Sequence, residues 1–198
     1  MKIETSMSLN PSLSYDLLNI FRGKRVSQLV RYSWWPKENV ASECDICDEL
    51  AFSLTAGPLA VIFENGDVLG IASEPSLNSV ILWLDQCKDG KVERNSSLDK
   101  DIELFPISCN DNIYANSFWK QFIGLTLLDF AILKKRSMNA LQRELPSEVG
   151  LSFIFEGNIK FIASHGLHDG TDDFSVLEYN QINPSIAEDL EETSVVFE

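Results

Sequence analysis

The stretches FENGDVLGIAS at residues 63–73 and FEGNIKFIAS at residues 155–164 specify the fold. Aligned with one gap, they pair identical residues at several positions: Phe63 with Phe155, Glu64 with Glu156, Gly66 with Gly157, and the Ile-Ala-Ser triplets that end both stretches. Each stretch contains apolar residues on either side of a turn built from Asn and Gly, which is typical of a β-hairpin. The sequence therefore predicts two related hairpins, one in each half of the chain.

The similarity extends upstream and downstream of the hairpins. Upstream, NIFRGKRVSQLVRY (19–32) and KQFIGLTLLDFAIL (120–133) align Phe21 with Phe122 and Gly23 with Gly124. Downstream, Ser79-Val80 aligns with Ser175-Val176. Self-similarity at this spacing indicates an internal repeat. We therefore expect a single domain over residues 1–198 that contains two units, at about 11–87 and 112–182.

Each unit is predicted to contain one helix and four strands, from the apolar spacing and the turn residues. The predicted helices are 11–21 and 117–123, and the predicted strands are 26–35, 59–64, 68–73, 80–85, 125–133, 150–155, 159–164 and 174–179. Residues 37–48 and 88–101 are predicted to be loops, and loops 36–48 and 135–148 to be equivalent. The predicted fold class is α+β with few short helices: a mostly antiparallel sheet, single or split into two packed sheets, built from two pseudo-symmetric repeats.

The chain is acidic throughout. Its 198 residues include 16 Lys and Arg and 30 Asp and Glu, for a net charge of −14. The first hundred residues carry a net −4 and the rest −10, including an acidic tail at 186–198. A nucleic acid or an anionic membrane requires a basic face, so we expect neither as a partner. The start lacks an apolar signal region, which favours a cytoplasmic location.

Cys44 and Cys47 form a C-x-x-C pair, a spacing used both by zinc sites and by redox pairs. A zinc site needs two more ligands, which Cys87 and Cys109 or the H-x-x-H pair His165 and His168 could supply. The acidic residues around the pair should raise a thiol pKa rather than lower it. We therefore expect four reduced cysteines and no metal or cofactor.

Both histidines of the chain lie in SHGLHDGTDD (164–173). A histidine beside a carboxylate can act in general acid–base catalysis, so His165, His168 and Asp169 form the centre of an alternative hypothesis, a small hydrolase or metal-dependent enzyme. A twelve-residue calcium loop from Asp169 would require Gly at 174 and Glu at 180, where the chain has Phe174 and Asn180. The sequence contains none of the common phosphate-binding, zinc-protease or serine-hydrolase motifs, and we expect no enzyme activity.

Two types of side chain are candidates for binding a protein partner. Trp34 and Trp35 end a predicted strand, so one should be buried and the other exposed as an apolar anchor. Acidic loops can attract a basic protein by long-range steering. The acidic candidates are Glu38, Glu43, Asp45, Asp48 and Glu49 in the first loop, and Asp169, Asp172 and Asp173 in the second. A further alternative is a structural interaction module without catalysis.

The segments GPLAVIFENGDVLGIASEPSLNSVILWLD (57–85) and EVGLSFIFEGNIKFIASHGLHDGTDDFSVLEY (148–179) resemble those of bacterial immunity proteins from polymorphic-toxin and interbacterial-competition systems. They cover about a third of the chain. The resemblance implies a cytosolic antitoxin that binds a cognate toxin domain, often a nuclease, and blocks its active site or substrate path. It implies no catalytic residues. An acidic surface suits such a partner, because a nuclease presents basic groups to phosphate.

Overall fold

The computed structural model describes residues 8–88, 97–136 and 144–195, which form two five-stranded antiparallel sheets. The first sheet contains β1 (Val26–Ser33), β2 (Leu59–Phe63), β3 (Val68–Glu74), β4 (Ser79–Gln86) and β5 (Phe105–Ser108). The second contains β6 (Leu127–Lys135), β7 (Gly150–Phe155), β8 (Lys160–His165), β9 (Phe174–Leu177) and β10 (Leu190–Ser194). The predicted α+β class, with few short helices, is confirmed, and the strands form two separate sheets that pack against each other.

The described helices are short. They are α1 (Tyr15–Phe21), α2 (Lys37–Cys44), α3 (Ala51–Leu54) and α4 (Pro184–Ala187), with several 3-10 turns. The longest 3-10 segment, Ser117–Phe122, precedes β6 as α1 precedes β1. Its first turn is capped by the Asn116 side chain, which accepts the Phe118 N–H at 3.1 Å. Helices therefore contain fewer of the described residues than the strands do.

The two sheets have the same strand order. It is β4-β3-β2-β1-β5 in the first sheet and β9-β8-β7-β6-β10, taken in the same direction, in the second. The first strand of each sheet also has a register shift against its neighbour at the same place, between Val26 and Gln28 in β1 and between Leu127 and Asp129 in β6. Shared order and shared bulges are the features that two pseudo-symmetric repeats would produce.

Reciprocal hydrogen bonds join the two sheets where β1 and β6 begin. The Gly23 N–H donates to the Leu127 carbonyl at 2.8 Å, and the Gly124 N–H donates to the Val26 carbonyl at 2.7 Å. Both glycines have positive φ, 75° and 79°. A second pair of bonds follows the same exchange, from Val26 N–H to the Leu125 carbonyl and from Leu127 N–H to the Lys24 carbonyl. The junction therefore has the reciprocity of an isologous contact within one chain.

One hydrophobic core lies between the sheets and takes side chains from both. Phe21 stacks on Phe63 with ring centroids 4.9 Å apart, and the aligned pair Phe122 and Phe155 lie 5.1 Å apart. Smaller clusters cover the outer faces of the two sheets. Because the main core needs residues of both halves, the two halves form one folding unit.

Three local predictions are wrong. Residues 37–48 were predicted to be a loop, but α2 occupies most of them. Only Val40 of this helix is buried, so the sequence lacks the periodic apolar residues that would have predicted a helix. The segment predicted as helix 117–123 is 3-10, which places the buried Trp119 and Phe122 above one another three residues apart. The helix predicted over 11–21 is a 3-10 turn, Pro11–Leu13, followed by the shorter α1.

Two strands were not predicted. β5 contains Pro106, a residue confined to edge strands, and β5 is the edge of its sheet. β10 lies in the acidic tail and pairs with β6, although all but the first of its residues are exposed. Parts of the predicted loops at 88–101 and 135–148 lie outside the described residues. No helix within the described ranges is both long and apolar enough to cross a membrane.

Candidate functional site

A cleft of about 500 Å³ brings together the two acidic segments. Glu43 and Asp45 line it from the end of α2, and Asp169 and Asp173 from the loop between β8 and β9. The two segments are more than a hundred residues apart in sequence, and each belongs to a different half of the chain. The cleft is therefore an acidic site that exists only in the folded chain.

The rest of the lining is mainly apolar. Trp35, which is half-buried, contributes its indole, and Ile46, Leu54 and Phe174 also line the cleft. None of the described residues that line it is a lysine or an arginine, and its one basic group is His168. An apolar surface with carboxylates beside it suits a partner that offers a cationic group on an apolar stem.

The end of α2 directs Asp45 towards the cleft. Asp45 has left-handed backbone geometry, with φ 53° and ψ 47°, and its N–H donates to the Ala41 carbonyl. The Ile46 N–H donates to the same carbonyl at 3.0 Å. Asp tolerates this conformation better than most residues, so it can end the helix here while its carboxylate stays exposed.

The second acidic segment is a compact loop held by its own hydrogen bonds. The Gly166 N–H donates to the Asp173 carbonyl at 3.1 Å, and the Asp169 carboxylate accepts the Thr171 N–H at 3.0 Å and its hydroxyl at 2.8 Å. A Cβ at Gly166 would lie 2.3 Å from the Thr171 carbonyl oxygen, so only glycine fits. Partial burial opposes ionisation of Asp169, but the bonds from Thr171 and the proximity of His168 lower its pKa overall.

The thiol of Cys44 faces this loop. Burial raises its pKa, and Asp173 and Glu43 raise it further. The prediction that acidic neighbours raise a thiol pKa in this motif is confirmed for Cys44, and Asp173 adds a contribution that comes from the other repeat. All four cysteines are free thiols. Within the described part of the chain, no group of three or more His, Cys, Asp or Glu side chains is arranged to hold a metal ion.

The buried side chain of Arg31 contacts Phe174, which lines the cleft, and the segment around α3. Its Nε donates to the Phe52 carbonyl at 3.0 Å, and its Nη2 donates to the carbonyls of Thr55 and Phe174. The guanidinium also stacks on the Phe174 ring, 4.5 Å from the centroid. Arg31 therefore joins β1 of the first repeat to α3 and to β9 of the second.

The two histidines lie in different places. His168 lines the acidic cleft, whereas His165 is buried and lines a second cavity of about 220 Å³. The Nδ1 atom of His165 is 3.1 Å from the Ser73 hydroxyl, and its Nε2 is 3.8 Å from the Asp172 carboxylate. Burial lowers the pKa of His165, although Asp172 acts in the opposite direction. The structure thus does not bring together the three residues of the enzyme hypothesis, His165, His168 and Asp169, in one cavity.

The candidate binding residues divide into those in the cleft and those outside it. Trp35, Glu43, Asp45, Asp169 and Asp173 line the cleft. Trp34 is 52% exposed but does not line it, and Asp172 lines the second cavity beside His165. Glu38, Asp48 and Glu49 are exposed on α2 and on the turn that follows it, outside the cleft lining.

No family model and no curated protein matches the sequence, and no solved structure matches the fold.

Sequence reasoning missed the apolar part of the lining and the buried arginine that contacts Phe174. Leu54 and Phe174 resemble ordinary core residues, and nothing in their spacing separates them from the core. Arg31 did have a signal, since it is a charged residue inside the apolar run of β1. A charge in such a run is found buried when the fold supplies acceptors, and the acceptors here come from distant segments.

Proposed function

We propose that this chain is a cytosolic immunity protein, an antitoxin that binds a cognate basic toxin domain such as a nuclease. In this proposal it neutralises the toxin by covering the active site or the path of the substrate. The observation that carries the proposal is the acidic cleft, in which carboxylates of both repeats surround an apolar lining. The resemblance of the two hairpin segments to immunity proteins supports the same class.

The charge of the cleft favours a basic partner. Glu43, Asp45, Asp169 and Asp173 are all exposed, so they keep their hydration until a partner arrives. A lysine or arginine of the toxin could then place its apolar stem on Trp35 and its charged end among the carboxylates. When such a residue of a nuclease is bound in the cleft, it can no longer contact the phosphate of the nuclease's substrate.

The net charge of −14 supports the kinetics of such an interaction. Long-range attraction raises the association rate of a basic partner and decreases as salt screens it. An immunity protein benefits from rapid association, because free toxin damages the cell that makes it. The charge of the whole molecule therefore contributes to the rate, and the cleft contributes to the specific contact.

The proposal is tested by isolating the partner and then measuring protection. Tagged protein is bound from its native cell, eluted with a salt gradient, and the eluate is identified by mass spectrometry. The gene of the main basic partner is then expressed with and without this chain in a sensitive host. We expect the partner alone to stop growth and co-expression to restore it. A partner that is harmless when expressed alone would contradict the proposal.

Charge reversal then tests the cleft itself. We expect Asp45→Lys, Asp169→Lys and Asp173→Lys together to weaken binding of the captured toxin by about 100-fold, because like charges in an interface cost several kcal/mol. The matched control is the triple variant Asp16→Lys, Glu103→Lys and Glu188→Lys, which reverses the charge of three exposed carboxylates outside the cleft.

This control variant should lower the association rate and leave the dissociation rate almost unchanged. Equal loss in both triple variants would contradict a role for the cleft. The measurement is surface plasmon resonance at several salt concentrations.

A further inference from the structure

The second cavity, of about 220 Å³, lies between the two halves of the chain. Asn78, in the turn between β3 and β4, lines it from the first half, and Lys135, His165 and Asp172 line it from the second. Pockets for drug-sized ligands have about 300–1,000 Å³, whereas a single water needs only about 10–15 Å³. The cavity therefore has room for a ligand that is larger than a water and smaller than a drug.

Two opposite charges line this cavity without forming an ion pair. Lys135, at the end of β6, is half-buried, and Asp172, in the loop between β8 and β9, is exposed. Within the described ranges, Lys135 takes part in no salt bridge, and the Asp172 carboxylate has only the imidazole of His165, at 3.8 Å. The cavity thus holds an ammonium and a carboxylate that do not neutralise each other.

His165 is close to both charges and is itself buried, with 3% of its surface exposed. Its Nδ1 is 3.1 Å from the Ser73 hydroxyl on β3, so the first sheet helps to orient the ring. Burial lowers the pKa of the imidazole, Asp172 raises it, and Lys135 lowers it again. The net effect is a lowered pKa, so the ring is neutral at pH 7.5. A neutral ring leaves the charges of Lys135 and Asp172 to be balanced by a ligand.

The two charges restrict the chemistry of that ligand. Asp172 would repel a multiply charged anion such as phosphate, and Lys135 would repel a simple amine. A zwitterion matches both, because its carboxylate can accept from the ammonium while its amino group donates to the carboxylate. The apolar part of the lining consists of Val149, Leu167 and Ile186. It suits a small uncharged side chain, because a further charge against it would remain uncompensated.

We propose that this cavity binds a small free α-amino acid, such as alanine or serine, through Lys135 and Asp172. The Lys135 ammonium holds the carboxylate of the ligand, and the Asp172 carboxylate holds its amino group. The ligand side chain lies against the apolar part of the lining. This inference goes beyond the proposed antitoxin function and does not depend on it, because neither Lys135 nor Asp172 lines the acidic cleft.

Titration with L-alanine is the direct test. The full chain, labelled with nitrogen-15, is followed by proton–nitrogen NMR at pH 7.5 and constant ionic strength. We expect saturable shifts at the amides of Gly170 and Thr171, which line the cavity. Propionate lacks the amino group and ethylamine lacks the carboxylate. Each should bind at least about tenfold more weakly than alanine, because it leaves one charge unpaired.

Two substitutions assign each charge to one end of the ligand. Lys135→Met keeps the apolar stem and removes the ammonium, so it should weaken alanine binding about tenfold and abolish the preference for alanine over ethylamine. Asp172→Asn keeps the shape and removes the charge, so it should abolish the preference for alanine over propionate. A general change in folding would not separate these two preferences. The matched controls are Lys134→Met and Glu188→Gln, which change exposed residues outside the lining and should bind alanine as the wild type does.

Three results would overturn the proposal. Alanine that produces no saturable shift at Gly170 and Thr171 would show that the cavity holds solvent only. Propionate or inorganic phosphate that binds more tightly than alanine would show an anion site in which Asp172 has no role. An equal loss of alanine binding in Lys135→Met and Lys134→Met would place the binding outside the cavity.

Discussion

At the scale of single residues, the environment of a side chain here depends on neighbours from the other half of the chain. Cys44 illustrates this, because its pKa is raised by burial and by the charge of Asp173, which is more than a hundred residues away in sequence. The sequence showed acidic neighbours at Glu43 and Asp45. It did not show that the second acidic loop would face the same thiol.

The Cys44 environment leads to a prediction about its reactivity. Asp173→Asn removes a charge that raises the pKa of this thiol, so it should increase the thiolate fraction and speed alkylation of Cys44 by about twofold to fivefold at pH 8. The readout is the rate of iodoacetamide labelling, followed for each cysteine peptide by mass spectrometry. Labelling of the exposed Cys47 supplies the internal control and should stay constant. An unchanged rate at Cys44 would contradict the prediction that the charge of Asp173 raises the pKa of this thiol.

At the scale of elements, the junction between β1 and β6 is reciprocal between the two halves of the chain, as the predicted repeat requires. Gly23 and Gly124 both have positive φ, and each donates its N–H to the first strand of the other repeat. The hairpin pairs predicted from the sequence, β2 with β3 and β7 with β8, are both present. Local turn chemistry and apolar spacing were therefore sufficient to locate these elements.

The junction predicts similar costs for two distant substitutions. Gly23→Ala and Gly124→Ala should each destabilise the protein by about 1–2 kcal/mol, because a side chain with a Cβ is strained at positive φ. A Cβ at Gly23 would meet nothing within 4 Å, so strain alone is measured there. Gly23→Asn is the matched control and should cost less, since Asn tolerates this conformation. Urea unfolding gives the free energies, and a cost at one glycine only would argue against equivalent junctions.

The loop between β8 and β9 is connected to the first sheet by His165. The imidazole contacts the Ser73 hydroxyl on β3, and faces Asp172, Asp173 and Lys135. Burial lowers the pKa of His165 in the folded protein below the value of about 6.5 expected in the unfolded chain. The unfolded state therefore binds more protons between these two pKa values.

This difference predicts how stability changes with pH. The contribution of neutral His165 is complete above pH 7 and should decrease as the pH falls below about 6.5, towards the lowered pKa of the folded state. We expect the free energy of unfolding to fall between pH 7.5 and 5.5 in the wild type and to change less in His165→Gln. His168→Gln is the control, because His168 is exposed. Parallel curves for the wild type and His165→Gln would contradict the prediction.

At the scale of the whole molecule, the core between the sheets requires both repeats. The inner face of the second sheet carries Phe130, Phe153 and Phe161, which belong to the same buried cluster as residues of the first sheet. A half-chain would leave this apolar face in water. Three or more strands need a covered face to be stable, and the cover here is the other sheet.

We therefore expect residues 1–115 and 116–198, expressed separately, to lack cooperative unfolding and dispersed amide proton shifts. Mixed or co-expressed, the halves should associate and recover both, because association restores the core and the reciprocal bonds of the junction. Circular dichroism and proton–nitrogen NMR spectra provide the measurements. A folded, monomeric half would contradict the single-core description.

The hairpins, most strand positions and the fold class followed from local sequence patterns alone. The physical reason is that turn residues and apolar spacing act over a few positions, and FENGDVLGIAS and FEGNIKFIAS contain both signals. The net charge of −14 likewise argues against a phosphate-binding face, because that charge is a sum over the composition and does not depend on folding. Elements with few buried apolar residues, such as α2 and β10, had no such signal.

Tertiary packing alone determines which distant residues share a surface. It places Glu43 and Asp45 beside Asp169 and Asp173, separates His165 from His168, and buries Arg31 among carbonyls of two other segments. These relations depend on how two sheets pack, which is set by the shape of a core shared by both halves. No local pattern encodes that packing, so the cleft and its buried arginine exist only once the chain has folded.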